Sequence, residues 1–126
     1  MAAQRKACLA ACEMAIAKVK VEHPLVEESL QRLRDKRAFT HQEQAKLDAL
    51  VAELDNQYLA LQEAAHQSGA SMADSLRSFA KARAIAALYF ASKNDTEALM
   101  DAVYEAAAAV GDNKLELFNA VESAIK

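Results

Sequence analysis

The sequence predicts an all-α protein, a compact antiparallel bundle of five or six helices with alanine-rich packing. Alanine supplies 30 of the 126 residues, within a hydrophobic fraction of 53%. Val, Ile and Thr together number only 12, and the chain has two glycines and one proline. Sandwiches and barrels need β-branched and aromatic strands separated by Gly and Pro turns, so this composition excludes an all-β fold.

A single domain over residues 1–126 is predicted, because the length suits one core and no linker interrupts the chain. The net charge of −3 alternates in sign: +3 over 1–40, −4 over 41–69, +3 over 70–93 and −5 over 94–126. Helices of opposite charge attract when they lie side by side, so the alternation predicts complementary neighbours. The negative total gives no global attraction to nucleic acid or to an anionic membrane.

The only cysteines, Cys8 and Cys12, predict a protein without disulfides. Four residues apart on a helix they share one face, where disulfide geometry is poor. No stretch reaches the ~20 apolar residues of a membrane span. The apolar segment 7–17 resembles a signal-peptide core only loosely, because Glu13 and Lys18 interrupt it. We therefore expect a cytoplasmic protein that does not enter membranes.

The first two helices meet at Pro24. A helix over residues 3–21 must end before it, because a residue preceding proline is pushed out of the α region. This helix is apolar on two sides, which is typical of a central helix. The second helix begins at Pro24, an accepted first-turn residue, and its basic end suits the helix dipole. It is predicted to lie at the surface, with one narrow seam of Val26, Leu30 and Leu33.

The third helix begins with a capping box of Thr40 and Glu43 and ends near Gln67, before Gly69. Its apolar residues repeat at intervals of four and three, as a heptad seam of Leu47, Val51, Leu54, Tyr58, Leu61 and Ala65. The seam predicts a coiled-coil-like pairing with another helix, which belongs either to this chain or to a second copy.

The fourth helix begins at Ser71 and is apolar at every position over 84–91, so its second half is predicted to be buried all round. Its seam comprises Met72, Leu76, Phe79, Arg83, Ala86 and Phe90.

The fifth helix begins at Asn94, capped with Glu97, and ends at Gly111. Its seam comprises Leu99, Val103, Ala107 and Val110. The sixth helix begins at Asp112 or Asn113. Its predicted inward-facing residues are Leu117, Phe118, Val121, Ala124 and Ile125.

Arg83 is the candidate site residue that stands out, because it occupies a seam position between Phe79 and Phe90. An arginine there extends to the rim, pairs with a carboxylate or binds an anion or a partner's carboxylate. A structural pair or an extension to the rim is the preferred interpretation, and a pair would draw its carboxylates from the acidic third and fifth helices. The candidates are Glu63, Glu97 and Asp101.

Residues 65–69, Ala-His-Gln-Ser-Gly, followed by Ser71, resemble the turn of helix-turn-helix DNA-binding proteins. The resemblance covers residues 61–83 and implies that the helix after the turn is a recognition helix. Its basic residues are Arg77, Lys81 and Arg83. The sequence departs from the pattern at Ser75, where an aliphatic residue is expected, and the preceding segment carries −4, which repels phosphate.

Two residue pairs have the spacing of metal ligands. Cys8 and Cys12 lie at i, i+4, but a structural zinc site needs about four ligands. Glu63 and His66 match half of a di-iron carboxylate motif, which requires a second such pair. We therefore expect no metal and no cofactor, with the cysteines as inert core residues.

The sequence contains no nucleophile and base at catalytic spacing and no Gly-rich phosphate loop. We therefore predict a non-enzymatic helical protein that functions in protein–protein interaction. It would bind either a protein partner or a second copy of itself. Arg83, Arg77 and Lys81 are its predicted anion or partner contacts. DNA binding through residues 61–83 is the first alternative, and a small metal-binding or enzymatic bundle is the second.

Overall fold

The computed structural model describes residues 2–68 and 73–126, and these contain no strand. The described residues form six α-helices and one 3₁₀ turn at Gly111–Asn113. The helices are α1 (Ala2–Val19), α2 (Pro24–Arg34), α3 (His41–Ser68), α4 (Ala73–Lys93), α5 (Thr96–Val110) and α6 (Lys114–Ile125). The predicted all-α bundle is therefore confirmed.

Helix α1 lies at the centre of the bundle, where it packs against α2, α4, α5 and α6. Its fully buried residues are Cys8, Ala11, Cys12 and Ala15. Contact on several sides explains why this helix is apolar on two faces, as the sequence predicted.

Alanine forms most of the interface around α4 and α5. The buried alanines are Ala82, Ala84, Ala86, Ala87 and Ala91 from α4, and Ala98, Ala102, Ala106, Ala107 and Ala109 from α5. Short side chains let neighbouring helices approach closely while the core stays densely packed. The predicted burial of the second half of α4 follows from its contacts with α1, α3 and α5.

The heptad seam of α3 packs along α4, so the predicted coiled-coil-like partner belongs to this chain. Leu47 is fully buried at the start of the seam, whereas Leu61 is 37% exposed near its end. The rings of Tyr58 and Phe79 meet between the two helices, with their centroids 5.3 Å apart. The capping box at the start of α3 is also present, because Thr40 N donates to Glu43 at 2.9 Å and Glu43 N to Thr40 Oγ1 at 3.1 Å.

The seam predicted for α4 is wrong by one residue at its start. Ser75 is fully buried, whereas Leu76 is 58% exposed. Counting back from Phe79, the buried residue lies four positions earlier, at Ser75, rather than three positions earlier, at Leu76. The predicted start of this helix at Ser71, like Gly69 and Met72, lies outside the described residues.

The inward face of α6 is narrower than predicted. Leu117 is buried and Val121 is half-buried, but Phe118 and Ile125 are 48% and 46% exposed. Helix α6 packs chiefly against α1, so a single stripe spaced four and three residues apart is covered. Phe118 and Ile125 each follow this stripe by one residue, about 100° around the helix.

Two helix boundaries differ from the prediction, at the end of α1 and at the start of α5. In both places a non-glycine residue with left-handed backbone, Lys20 or Asn94, follows the end of a helix. Lys20 has φ 61°, and its N–H and that of Val21 both donate to Ile16 O, so α1 ends at Val19. Asn94 has φ 56° and follows the end of α4.

The cap of α5 is therefore Asp95 rather than Asn94. Its carboxylate accepts a hydrogen bond from Ala98 N at 2.8 Å.

Candidate functional site

Arg83 joins three helices through two carboxylates. Its Nη2 donates to both oxygens of Asp55 on α3, at 3.0 and 2.9 Å, and its Nη1 donates to Glu105 on α5 at 2.9 Å. The side chains of Arg83 and Glu105 are 20% and 18% exposed, whereas that of Asp55 is 39% exposed. The guanidinium also lies 5.7 Å from the centroid of the Phe79 ring.

The prediction that α3 and α5 supply the carboxylates is confirmed, but the residues are not Glu63, Glu97 or Asp101. Asp55 and Glu105 take their place because they lie on the sides of α3 and α5 that face α4. Two carboxylates around one guanidinium leave a local charge of −1, which repels an additional anion. Arg83 therefore belongs to an ion-pair network within its own chain.

The other predicted contact residues lie apart from this network. Arg77 forms an exposed ion pair with Asp74, one turn earlier on α4, at 3.5 Å. Lys81 is half-buried on the same helix. The role of these residues in binding stays a prediction.

A cleft of about 460 Å³ opens at another part of the molecule, where five segments of the chain meet. Its lining comes from the first turns of α1, the end of α2 with the connection that follows, the start of α3, the end of α4 and the start of α5. We call it the basic cleft, because seven cationic side chains line it. They are Arg5, Lys6, Arg32, Arg34, Lys36, Arg37 and Lys93.

No Asp or Glu side chain is among the described residues that line the basic cleft. Cationic groups gathered around a concave surface raise the local concentration of anions, because the protein walls focus the field. The cleft is therefore well suited to attract negative charge.

Two of the seven cations hold the cleft walls in place. Arg32 Nε lies 2.6 Å from Glu43 Oε2, and its Nη1 donates to Ala38 O at 3.3 Å. Arg34 donates to Glu13 of α1 at 2.9 Å. These bonds attach the end of α2 to the connection after it, to the start of α3 and to α1.

Arg37 pairs within its own segment, because its exposed side chain lies 3.6 Å from Asp35, two residues earlier in the same connection.

Four cations of the basic cleft form no ion pair with the described residues: Arg5, Lys6, Lys36 and Lys93. Arg5 donates instead to the neutral side chain of Asn94. The Lys93 ammonium lies 4.7 Å from the centroid of the Tyr89 ring. These four charges are not engaged in an ion pair with the described residues and are available to a ligand.

The floor of the basic cleft is mainly apolar, although Gln44 and Ser92 also line the cleft, with Gln44 Nε2 donating to Ser92 O at 3.1 Å. The apolar part is formed by side chains from α1, α2, the α2–α3 connection, α4 and α5, namely Leu9, Leu33, Phe39, Ala91 and Leu99. A cleft with cations at its walls and an apolar floor is suited to a ligand that carries both negative charge and an apolar group.

The cysteine pair lies beneath this floor. Cys8 lines the cleft with 1% exposure, and Cys12 is fully buried behind it. A hydrogen bond with Cys8, together with burial, raises the pKa of the Cys12 thiol well above its usual range. Both thiols are free.

The other pair with metal-ligand spacing lies on the surface. Glu63 and His66 are both exposed near the end of α3. Over residues 2–68 and 73–126, no three His, Cys, Asp or Glu side chains converge as a metal site would require.

The sequence prediction missed the basic cleft. Its signal is the charge of +3 over residues 1–40, but a basic helix end, here Arg32, Arg34, Lys36 and Arg37, is already accounted for by the helix dipole. Periodicity could not place Lys93 of α4 next to Arg5 and Lys6 of α1, because only tertiary packing brings these helices together.

No family model, no curated protein and no solved structure matches this chain. Among the described helices, none is long and apolar enough to span a membrane.

Proposed function

We propose that this protein is a non-enzymatic interaction protein whose basic cleft binds an acidic segment of a partner protein. One observation carries the proposal: seven cationic side chains line the cleft, and no carboxylate of the described residues lines it. In a protein whose net charge is −3, such a gathering of one sign is a local feature rather than a consequence of composition.

The unpaired cations favour binding over a purely structural role. Arg32 and Arg34 already brace the cleft walls through Glu43 and Glu13. Lys6, Lys36 and Lys93 form no ion pair with the described residues, so their charges are available to a negative ligand. Their attraction for an acidic partner would speed its association.

A peptide segment suits the distribution of the cations. They come from α1, the end of α2, the connection after it and the end of α4, and so surround the cleft. A single carboxylate or phosphate would reach only part of this set. An acidic segment carries several negative charges along one flexible chain and would contact more than one wall.

Duplex DNA is the less favoured ligand. A protein that binds duplex DNA neutralises a series of phosphates along the backbone. The cations here encircle a cleft, and the exposed surface of α3 carries Asp48, Glu53 and Glu63.

The proposal is tested by fluorescence anisotropy with a labelled peptide of Asp and Glu residues. The cleft variant is Lys6→Glu/Lys93→Glu, and the matched control is Lys46→Glu/Lys114→Glu, which changes the net charge equally at exposed helical lysines outside the cleft. We expect wild type to bind more weakly as salt rises, the cleft variant to lose at least about tenfold in affinity, and the control to lose much less.

Equal losses in the two variants would show that binding follows net charge and not the cleft, which contradicts the proposal. A parallel mobility shift with random duplex DNA tests the alternative. Binding of DNA that is weakened by Arg77→Glu and unaffected by the cleft variant would favour the helix-turn-helix prediction instead.

A further inference from the structure

We infer that the acidic segment carries a large apolar side chain, flanked by Asp or Glu, which packs on the floor of the basic cleft. This inference rests on the proposed function and specifies the partner. It follows from the juxtaposition of Leu9, Leu33 and Phe39 with the surrounding cations.

The floor retains apolar surface that its own chain leaves accessible. Leu9, Leu33 and Phe39 are each half-buried, and each belongs to a different segment. Leu99 and Ala91 lie below them with 2% exposure each. The floor therefore combines buried apolar residues with accessible ones, and an apolar ligand group would remove the accessible apolar surface from water.

A segment of acidic residues alone would match the cations but not the floor. Its carboxylates would either remain at the rim, leaving the floor hydrated, or enter the cleft and lose water against apolar carbon. The second arrangement is costly because a carboxylate that contacts apolar carbon loses hydration there. A segment with a central apolar residue avoids both costs, because its apolar side chain covers the floor while its carboxylates stay near the cations.

The cations are placed to hold acidic residues on either side of such a group. Lys6 and Lys36 are exposed and lie on separate walls, on α1 and on the α2–α3 connection. Lys93 is exposed on a third wall, where contact with the ring of Tyr89 positions its ammonium group. The pattern that fits is therefore acidic, apolar, acidic.

The size of the cleft agrees with this occupant. Its volume of about 460 Å³ lies within the range of sites that enclose a drug-sized group, roughly 300–1,000 Å³. Such a space accepts a leucine or phenylalanine side chain together with the backbone that carries it.

The experiment compares peptides of identical charge, in which one central residue flanked by glutamates is Leu, Phe or Ser. Isothermal titration calorimetry on the wild-type chain gives the affinities. We expect the Leu and Phe peptides to bind about tenfold or more tightly than the Ser peptide, because each buries an apolar side chain. Their binding is also expected to have the more negative heat-capacity change.

Three protein variants locate the effect. Phe39→Ala should reduce the advantage of the Leu peptide, and Phe39→Leu should keep most of it. The matched control is Leu115→Ala on α6, which removes an exposed leucine outside the cleft and should leave the advantage unchanged. Thermal melts of each variant verify folding, and the peptide series on wild type decides the inference if Phe39→Ala does not fold.

Each outcome has a separate meaning. Equal affinity for the Leu, Phe and Ser peptides overturns this inference and leaves the proposed function standing. Failure of all three acidic peptides to bind overturns both. Binding of ATP or citrate that exceeds that of every peptide identifies a small polyanion as the ligand and contradicts the proposed partner.

Discussion

The Nε atom of Arg5 donates a hydrogen bond at 3.0 Å to Oδ1 of Asn94, which joins the first turns of α1 to the connection between α4 and α5. Asn94 has a φ of 56°, in the left-handed region that asparagine and glycine tolerate best. One residue thus ends α4 and fixes a cation on the wall of the basic cleft.

Substitution of Asn94 should separate these two contributions. Asn94→Gly keeps the left-handed backbone and removes only an exposed hydrogen bond, so we expect the free energy of unfolding to change little. Asn94→Ala introduces a Cβ that disfavours this conformation and should cost about 1 kcal/mol more than Asn94→Gly. Urea denaturation measures both, and equal stability of the two variants would refute a role for the backbone conformation.

The Arg83 network should act as a structural unit. Arg83→Ala leaves Glu105 without its partner at 18% exposure, so we expect a loss of about 2–3 kcal/mol. Arg83→Met should be milder, because it keeps the packing against Phe79. Glu105→Gln should cost more than Asp55→Asn, since Asp55 is the more exposed carboxylate. Neutral results for all four in urea melts would contradict this account.

The heptad seam of α3 predicts an asymmetry between two leucines. Leu54 is half-buried in the seam, so Leu54→Ala should lower the free energy of unfolding by about 2 kcal/mol, at the lower end for buried leucines. Leu59 is 57% exposed, so Leu59→Ala should cost less than about 0.5 kcal/mol. Equal costs in denaturant melts would mean that the wrong face of α3 has been assigned to the seam.

Cys12 should give stability a dependence on alkaline pH. The hydrogen bond with Cys8 and burial raise its pKa in the folded state, so the folded chain holds its proton to higher pH than the unfolded chain. This contribution is complete below about pH 8.5, the usual thiol pKa, and is lost as pH rises above it. Cys12→Ala should flatten the decline measured by urea melts from neutral to alkaline pH.

Thiol labelling gives an independent reading of the same site. A neutral, buried thiol is a poor nucleophile, so Cys12 should react slowly with thiol reagents in the native state and rapidly in urea. Fast native labelling would contradict the burial of α1.

Glu43 should give stability a dependence on acidic pH. The hydrogen bond from Thr40 N–H, with additional attraction from Arg32, lowers its pKa in the folded state. The resulting stabilisation is present above the unfolded glutamate pKa of about 4.3 and is lost as pH falls through the lower folded value. A carboxyl titration by NMR should give a pKa for Glu43 below about 4.3. Thr40→Ala keeps the N–H but removes the Thr40 side-chain hydrogen bond, which also lowers this pKa, so it should raise the pKa in part.

The fold was largely predictable because it depends on local patterns. Alanine content, apolar periodicity and the Thr40–Glu43 capping box predicted the helices and most of the buried faces. The misplaced residues, Leu76, Phe118 and Ile125, each lie one residue beside a buried stripe. A sequence pattern tolerates such a rotation, and only contact with the neighbouring helix decides it.

The candidate site was less predictable because its parts are distant in sequence. Arg83 could be singled out as an anomaly on one helix, and its partner helices followed from their charge. The basic cleft instead requires Arg5, Lys6 and Lys93 to meet across more than eighty positions. The net charge of each segment shows that both regions are positive, but only the packing of α1 against α4 brings these cations into one cleft.

The most direct test of the basic cleft is an NMR titration of the wild-type chain, labelled with nitrogen-15, with the glutamate peptide that carries a central leucine. We predict that amide signals of residues 5–9, 32–39 and 91–94 shift progressively and saturate, while those of residues 53–66 and 115–125 stay in place. Signals that do not move at millimolar peptide, or shifts centred on residues 73–83, would contradict the account.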